Sequence, residues 1–297
     1  MCCENDFGRA FDENFRLRTS GSDLNEERLF IALHESLCAL SQNFVIGTYH
    51  GSAHLVSYES PYNNPVPGLP PAQARCELCD LMIITYSNSR RELRLACLQA
   101  KLETGVNAVR DRTFTVNPVQ WYLLAHRPEV LRFNRFYLPQ RMLADALLSS
   151  VGTFGFFTRL GNAYNIYYSI AEQLALQNLS CKKGRVNSPG IFDLQSVVTP
   201  FGTFEECLAA PNSIQFGSAL YALKIGTPLS TRHAPSTHVM AWLCSNLEQL
   251  GQAYSSYSIN LQPVTNLIQF LRQDALPPVG YTVSGFGSRY VAILEVD

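Results

Sequence analysis

The chain of 297 residues has no run of 18 apolar residues free of polar or charged interruption, so a membrane-spanning helix is not expected. No charged segment followed by a short apolar one opens it, the pattern of a secretory signal. An excess of one charge is also missing: 23 Lys and Arg stand against 24 Asp and Glu, a formal net charge of −1. The total therefore advertises no polyanion partner, and any nucleic-acid surface must come from local clusters of Arg and Lys. The nine cysteines are odd in number and scattered, unlike the dense framework of a small secreted domain. They read as free thiols, several of them small core residues, in a reducing cytoplasm.

Several chemical signatures are absent too. Without Gly-x-Ser-x-Gly there is no nucleophile elbow, and without Gly-x-x-x-x-Gly-Lys-Ser/Thr the chain should not hydrolyse ATP by itself. Gly285-Phe286-Gly287 lacks the later glycine and the following helix of a dinucleotide site. Cys76-Glu77-Leu78-Cys79 has the spacing of a zinc knuckle, but no second such pair follows to complete four ligands. His233 and His238 are separated by Pro235, which argues against a metal pair on one helical face.

What is present is a 46% hydrophobic chain, enough for a packed core in one large domain or two modest ones. Residues 1–20 mix charge and aromatics without a clear period and are left unassigned. Asp23 with Glu26 three residues on has the form of a capping box, and Leu29, Leu33, Leu37 and Leu40 repeat at helical spacing, so a helix is predicted over 24–41. Short strands are expected at Phe44–Ile46 and His54–Tyr58, and the prolines of 60–74 predict a loop. Two apolar runs, Leu78–Tyr86 and Leu93–Leu102, flank the turn-prone Ser87–Arg91 and predict a hairpin of buried strands. Helices are expected at Val119–Leu124, 142–150, 162–178, 237–253 and 263–273, a loop at Gly184–Pro200, and closing strands within 280–296.

The chemistry lies in the hairpin. Residues two apart on a strand share a face, so Gln99 and Lys101 point together while Leu98, Ala100 and Leu102 point to the opposite, apolar side. Two polar groups on a strand that otherwise wants burial need partners, because an unpaired ammonium or amide in a core loses several kcal/mol of solvation. Asp80 opens the neighbouring strand, and a hairpin register brings its carboxylate near both. Carboxylate and amide oxygens suit a hard cation such as Mg²⁺ or Mn²⁺, and a lysine beside them can act on an attacking water.

Asp80, then Gln99-Ala100-Lys101, resembles the signature of the PD-(D/E)XK nuclease superfamily, in the Gln-containing variant of Mrr-like restriction endonucleases and related phage-defence nucleases. The likeness spans about residues 20–130. It implies an α/β restriction-endonuclease-like core, a mixed sheet flanked by helices, over 1–141. Residues 142–297 would be a mainly helical accessory region for DNA, dimer or partner contacts, either separate from the core or continuous with it. It further implies Asp80, Gln99 and a helix-borne glutamate as metal ligands and Lys101 as the residue acting on water. Glu27 is the candidate for that glutamate, with Glu26 and Glu35 as alternatives. Arg90, Arg91, Arg127, Arg132 and Arg135, with Arg94 and Arg141, are candidates for a phosphate-facing surface. The expected activity is hydrolysis of DNA in prokaryotic restriction or phage defence, as a homo-oligomer or beside a helicase or other ATPase subunit. The alternatives are an RNA-directed nuclease and a nuclease fold kept only for binding or assembly.

Overall fold

A computed structural model describes residues 4–21, 23–40, 44–47, 55–63, 72–105, 108–131, 138–179, 183–188, 191–254, 260–273, 276–277 and 285–297. The first elements are α1 (Glu4–Thr19), α2 (Glu26–Cys38), β1 (Phe44–Gly47), β2 (Leu55–Ser60), β3 (Ala72–Glu77), β4 (Cys79–Ser87) and β5 (Glu92–Glu103). Next come α3 (Ala108–Asp111), β6 (Thr113–Val116), α4 (Pro118–His126), β7 (Gly152–Leu160), β8 (Ala163–Ile170), β9 (Ala175–Leu179) and β10 (Gly184–Asn187). The remainder is β11 (Asp193–Thr199), β12 (Gly202–Ala210), α5 (Ser213–Tyr221), β13 (Thr227–Pro228), α6 (Ala234–Tyr254), α7 (Gln262–Arg272) and β14 (Ser288–Glu295).

The architecture is α/β, built on a nine-stranded mixed sheet of order β1-β14-β4-β5-β7-β8-β12-β11, with β13 paired to β5. β14 runs parallel to β4 and β5 parallel to β7; the other neighbours are antiparallel. Every residue of β4 is buried, as expected of a strand covered by helices on both faces. On one face Met82, Leu95, Phe154 and Ile293 pack with Leu123 of α4, Trp242 of α6 and Leu267 of α7. On the other, Leu81, Leu98, Ile166 and Ala292 pack with Phe11 of α1, Leu33 of α2 and Phe216 of α5. No helix among the described residues is long and apolar enough to cross a membrane.

The predicted hairpin is β4 and β5, and α4, α6 and α7 fall where periodicity placed them. Other expectations are corrected. Residues 4–19, left unassigned, form α1, whose Phe7, Phe11 and Phe15 recur every four residues on its buried side. The cap of α2 is Asn25, whose side chain accepts the Arg28 N–H, rather than Asp23, and the helix ends at Cys38. The proline loop ends earlier than expected because β3 begins at Ala72. Residues 142–150 are turns, closing on a short 3₁₀ segment, Ser149–Val151.

The stretch 162–178 is not a helix but β8 and β9, and the expected loop 184–200 contains β10 and β11. Gly161-Asn162 is the two-residue turn that folds β8 back onto β7, with Gly161 at φ +64° and Leu160 opposite Ala163. The C-terminal half is therefore rich in strands, against the expected mainly helical extension. Its strands also complete the sheet of the first half, with β7 beside β5 and β14 beside β4. Within 280–296 the described strand is β14; residues 280–284 lie outside the described residues.

Candidate active site

The site forms where β4 and β5 part. Their pairing runs from Ser87 opposite Glu92 to Leu81 opposite Leu98. β5 continues to Glu103 with β7 on one side, so its N–H groups on the β4 side must find other acceptors. Two carboxylates take those places. Asp80 Oδ2 accepts the Ala100 N–H at 2.9 Å, and Glu26 Oε2 accepts the Leu102 N–H at 3.0 Å. Both side chains are thereby fixed by the backbone of the strand that carries Gln99 and Lys101.

Gln99, 1% exposed, donates its amide Nε2 to the same Asp80 oxygen. Its own Oε1 is buried and has no hydrogen-bond partner among the described residues. Lys101 Nζ, partly exposed, stands 3.5 Å from Glu26 Oε1. The structure thus gathers Asp80, Gln99 and Lys101 as the hairpin parity predicted. The glutamate that reaches the lysine is Glu26, held in the first turn of α2; Glu27 lines the neighbouring pocket and is exposed. Glu35 lies more than two turns on and pairs with Arg18 at 3.3 Å.

Burial, the largest effect, raises the Asp80 pKa above the usual aspartate value. The Lys101 ammonium, the Ala100 N–H and the Arg289 guanidinium all oppose that rise, and Glu26 adds to it. Arg289 was not anticipated. The parallel register that sets Ser288 beside Cys79 and Tyr290 beside Leu81 brings it level with Asp80. Its Nε donates to Glu77 Oε2 at 3.1 Å and lies 3.6 Å from Asp80 Oδ1. Glu26, Glu27, Phe30, Asp80, Arg289 and Tyr290 line a pocket of about 280 Å³ between α2 and the starts of β4 and β14.

The arginines proposed for phosphate contact are not gathered here. Arg90 and Arg91 belong to the β4–β5 turn, about 25 Å along the hairpin from Asp80 at the usual strand rise. Arg127 is the left-handed C-cap of α4 and pairs with Glu172 at 3.6 Å. Arg94 is buried, donating to Glu92 and to the Gly226 carbonyl. Arg141 pairs with Asp145 and Glu129. Arg132 and Arg135 lie outside the described residues.

The fit to a divalent cation can be judged from the donors. Among the described residues no three His, Cys, Asp or Glu side chains form a ligand cluster, so a cation here would draw on the amide of Gln99 as well as on carboxylates. Facing a bare carboxylate, the amide turns its N–H to Asp80, because two oxygens side by side would repel. A half-turn of that amide exchanges Nε2 for the orphaned Oε1 and sets two oxygen donors together, a pairing that hard cations favour. On that half-turn Asp80 and Gln99 would offer such an ion two oxygen donors, the sparse protein share that Mg²⁺ accepts beside water and phosphate.

No protein-family model, no curated protein and no solved structure matches the chain.

Proposed function

We propose that the protein is a divalent-cation-dependent deoxyribonuclease that hydrolyses phosphodiester bonds. One observation supports this above the others: at the parting of β4 and β5, two carboxylates, a buried amide with an unused oxygen and a lysine converge beside an open pocket. The elements α2, β4, β5, α4 and β7, in that chain order with β1, β2, β3, α3 and β6 interspersed and with β5 and β7 parallel, also accord with the restriction-endonuclease-like core that the sequence resemblance implies.

Asp80, Gln99 and Glu26 would hold Mg²⁺ or Mn²⁺, with Glu27 at the pocket wall. The ion would supply positive charge to polarise the phosphodiester and stabilise the departing oxygen. Asp80 serves in its ionised form, which its protein neighbours Lys101, Ala100 and Arg289 favour against the cost of burial. Lys101, oriented by Glu26, presents a cation and N–H donors to the attacking water or the phosphate it meets. By resemblance the setting is prokaryotic restriction or phage defence, with a helicase or other ATPase as a partner subunit, in the cytoplasm.

A second reading is favoured by the amide at position 99, which gives the cation one negative charge fewer than an acid would. On that reading the fold is kept for binding or assembly and the site is idle. Plasmid, linear DNA and RNA incubated with wild type and Lys101→Ala, in Mg²⁺, Mn²⁺ or EDTA, separate the possibilities. The nuclease reading requires cation-dependent nicking of DNA that is lost in the variant. Cleavage confined to RNA would change the substrate class, and cleavage untouched by Lys101→Ala would remove this centre.

A further inference from the structure

We infer that Arg289 is the residue that receives the phosphodiester, its guanidinium binding the non-bridging oxygens of the phosphate in the pocket. The inference rests on the nuclease reading and adds to it a substrate contact that lies outside the hairpin signature. The pocket wall carries three carboxylates, Glu26, Glu27 and Asp80, which repel a polyanion; among the described lining residues Arg289 is the one cation. A phosphate entering such a wall needs positive charge beyond that of a bound cation and of Lys101, and Arg289 is placed to add it.

The side chain is also spent in the right way. Its hydrogen bond to Glu77 and its approach to Asp80 both use Nε. Neither terminal nitrogen makes a hydrogen bond among the described residues, and the side chain is 47% exposed. Glu77 thus anchors the group on its inner edge and leaves the outer fork open. Two parallel N–H donors on a planar cation match two phosphate oxygens, which a lysine ammonium reproduces only as a point charge. Tethering by Glu77 also limits the rotamer freedom lost on binding.

The test measures binding of a labelled DNA duplex by anisotropy, with Ca²⁺ in place of Mg²⁺ to hold off cleavage, over a range of salt. Wild type, Arg289→Gln and Arg289→Lys are compared; Gln keeps a donor for Glu77, and Lys keeps the charge. Mn²⁺ affinity is measured on the same proteins, and cleavage on the wild type. Arg289→Gln should weaken DNA binding about tenfold and flatten the salt dependence by about one phosphate contact, with Lys recovering part of the affinity. Mn²⁺ affinity should stay within about threefold of wild type, which a residue acting only by positioning Asp80 would not allow.

DNA affinity unchanged in Arg289→Gln, while wild type cleaves, would overturn the inference and leave the nuclease reading standing. Parallel loss of Mn²⁺ and DNA affinity would overturn it in favour of a positioning role. A wild type that neither binds nor cleaves DNA would overturn both.

Discussion

At the scale of single residues, the burial of the Asp80 carboxylate costs stability. Burial raises its pKa in the folded protein above the unfolded value, so the folded state binds the proton more tightly. Acidification through that folded pKa therefore strengthens folding, and ionisation at neutral pH weakens it. Asn keeps an oxygen for the Ala100 N–H and carries no charge. Asp80→Asn should melt at or above the wild-type temperature at pH 7, with any gain shrinking as the pH is lowered, as followed by circular dichroism. A clear drop in melting temperature would contradict this. Asp80→Ala, which orphans the Ala100 N–H, should lose about 1–3 kcal/mol. Asp80, Gln99 and Lys101 were legible because strand parity and a short hairpin suffice to place them. The choice between Glu26 and Glu27 was not, since adjacent residues of a first helical turn differ by about 100° and only packing tells which faces the strand. Arg289 gave no local signal, because its place beside Asp80 depends on a strand pairing across more than 200 residues.

At the scale of elements, the close approach of α1 and α5 illustrates how packing overrides propensity. A Cβ on Gly8 would fall inside van der Waals contact of the Ile214 carbonyl oxygen and of Ser218, both on α5, and one on Gly217 would meet the Gly8 Cα at 3.1 Å. In an open helix Gly→Ala gains about 1 kcal/mol. Here the two helices would have to separate, and overpacking of this kind costs about 1–3 kcal/mol. Gly8→Ala should therefore lower stability in urea melts, and a more stable variant would refute the crossing. Sequence patterns succeeded where an element showed length and a clean boundary: the hairpin turn between β4 and β5, or the leucine series of α2. They failed at β8, whose residues after Ala163 are all buried, because an apolar run covered on both faces does not distinguish strand from helix. β11 failed for the opposite reason: it is largely solvent-facing and carries no apolar alternation.

At the scale of the molecule, the sheet is not divided near residue 141. β4 lies between β14 and β5, and β5 between β4 and β7, so each strand of the site hairpin has a neighbour from the second half of the chain. A fragment of residues 1–141 would expose both flanks of that hairpin as apolar edges. It should be insoluble or unfolded in sedimentation and circular dichroism, and a soluble, cooperatively melting fragment would refute this dependence. The same arrangement explains why the site is shared: α2 and the hairpin supply the carboxylates, the amide and the lysine, and β14 supplies the arginine.

The proposed function stands or falls on a cation bound at the parting of β4 and β5. Its most direct test is calorimetric titration of Mn²⁺ into the wild type and Asp80→Asn, which needs neither substrate nor partner. The wild type should bind saturably, and the variant, with its thermal melt intact, should lose at least tenfold in affinity. Equal binding by the two proteins, or none by the wild type, would contradict it.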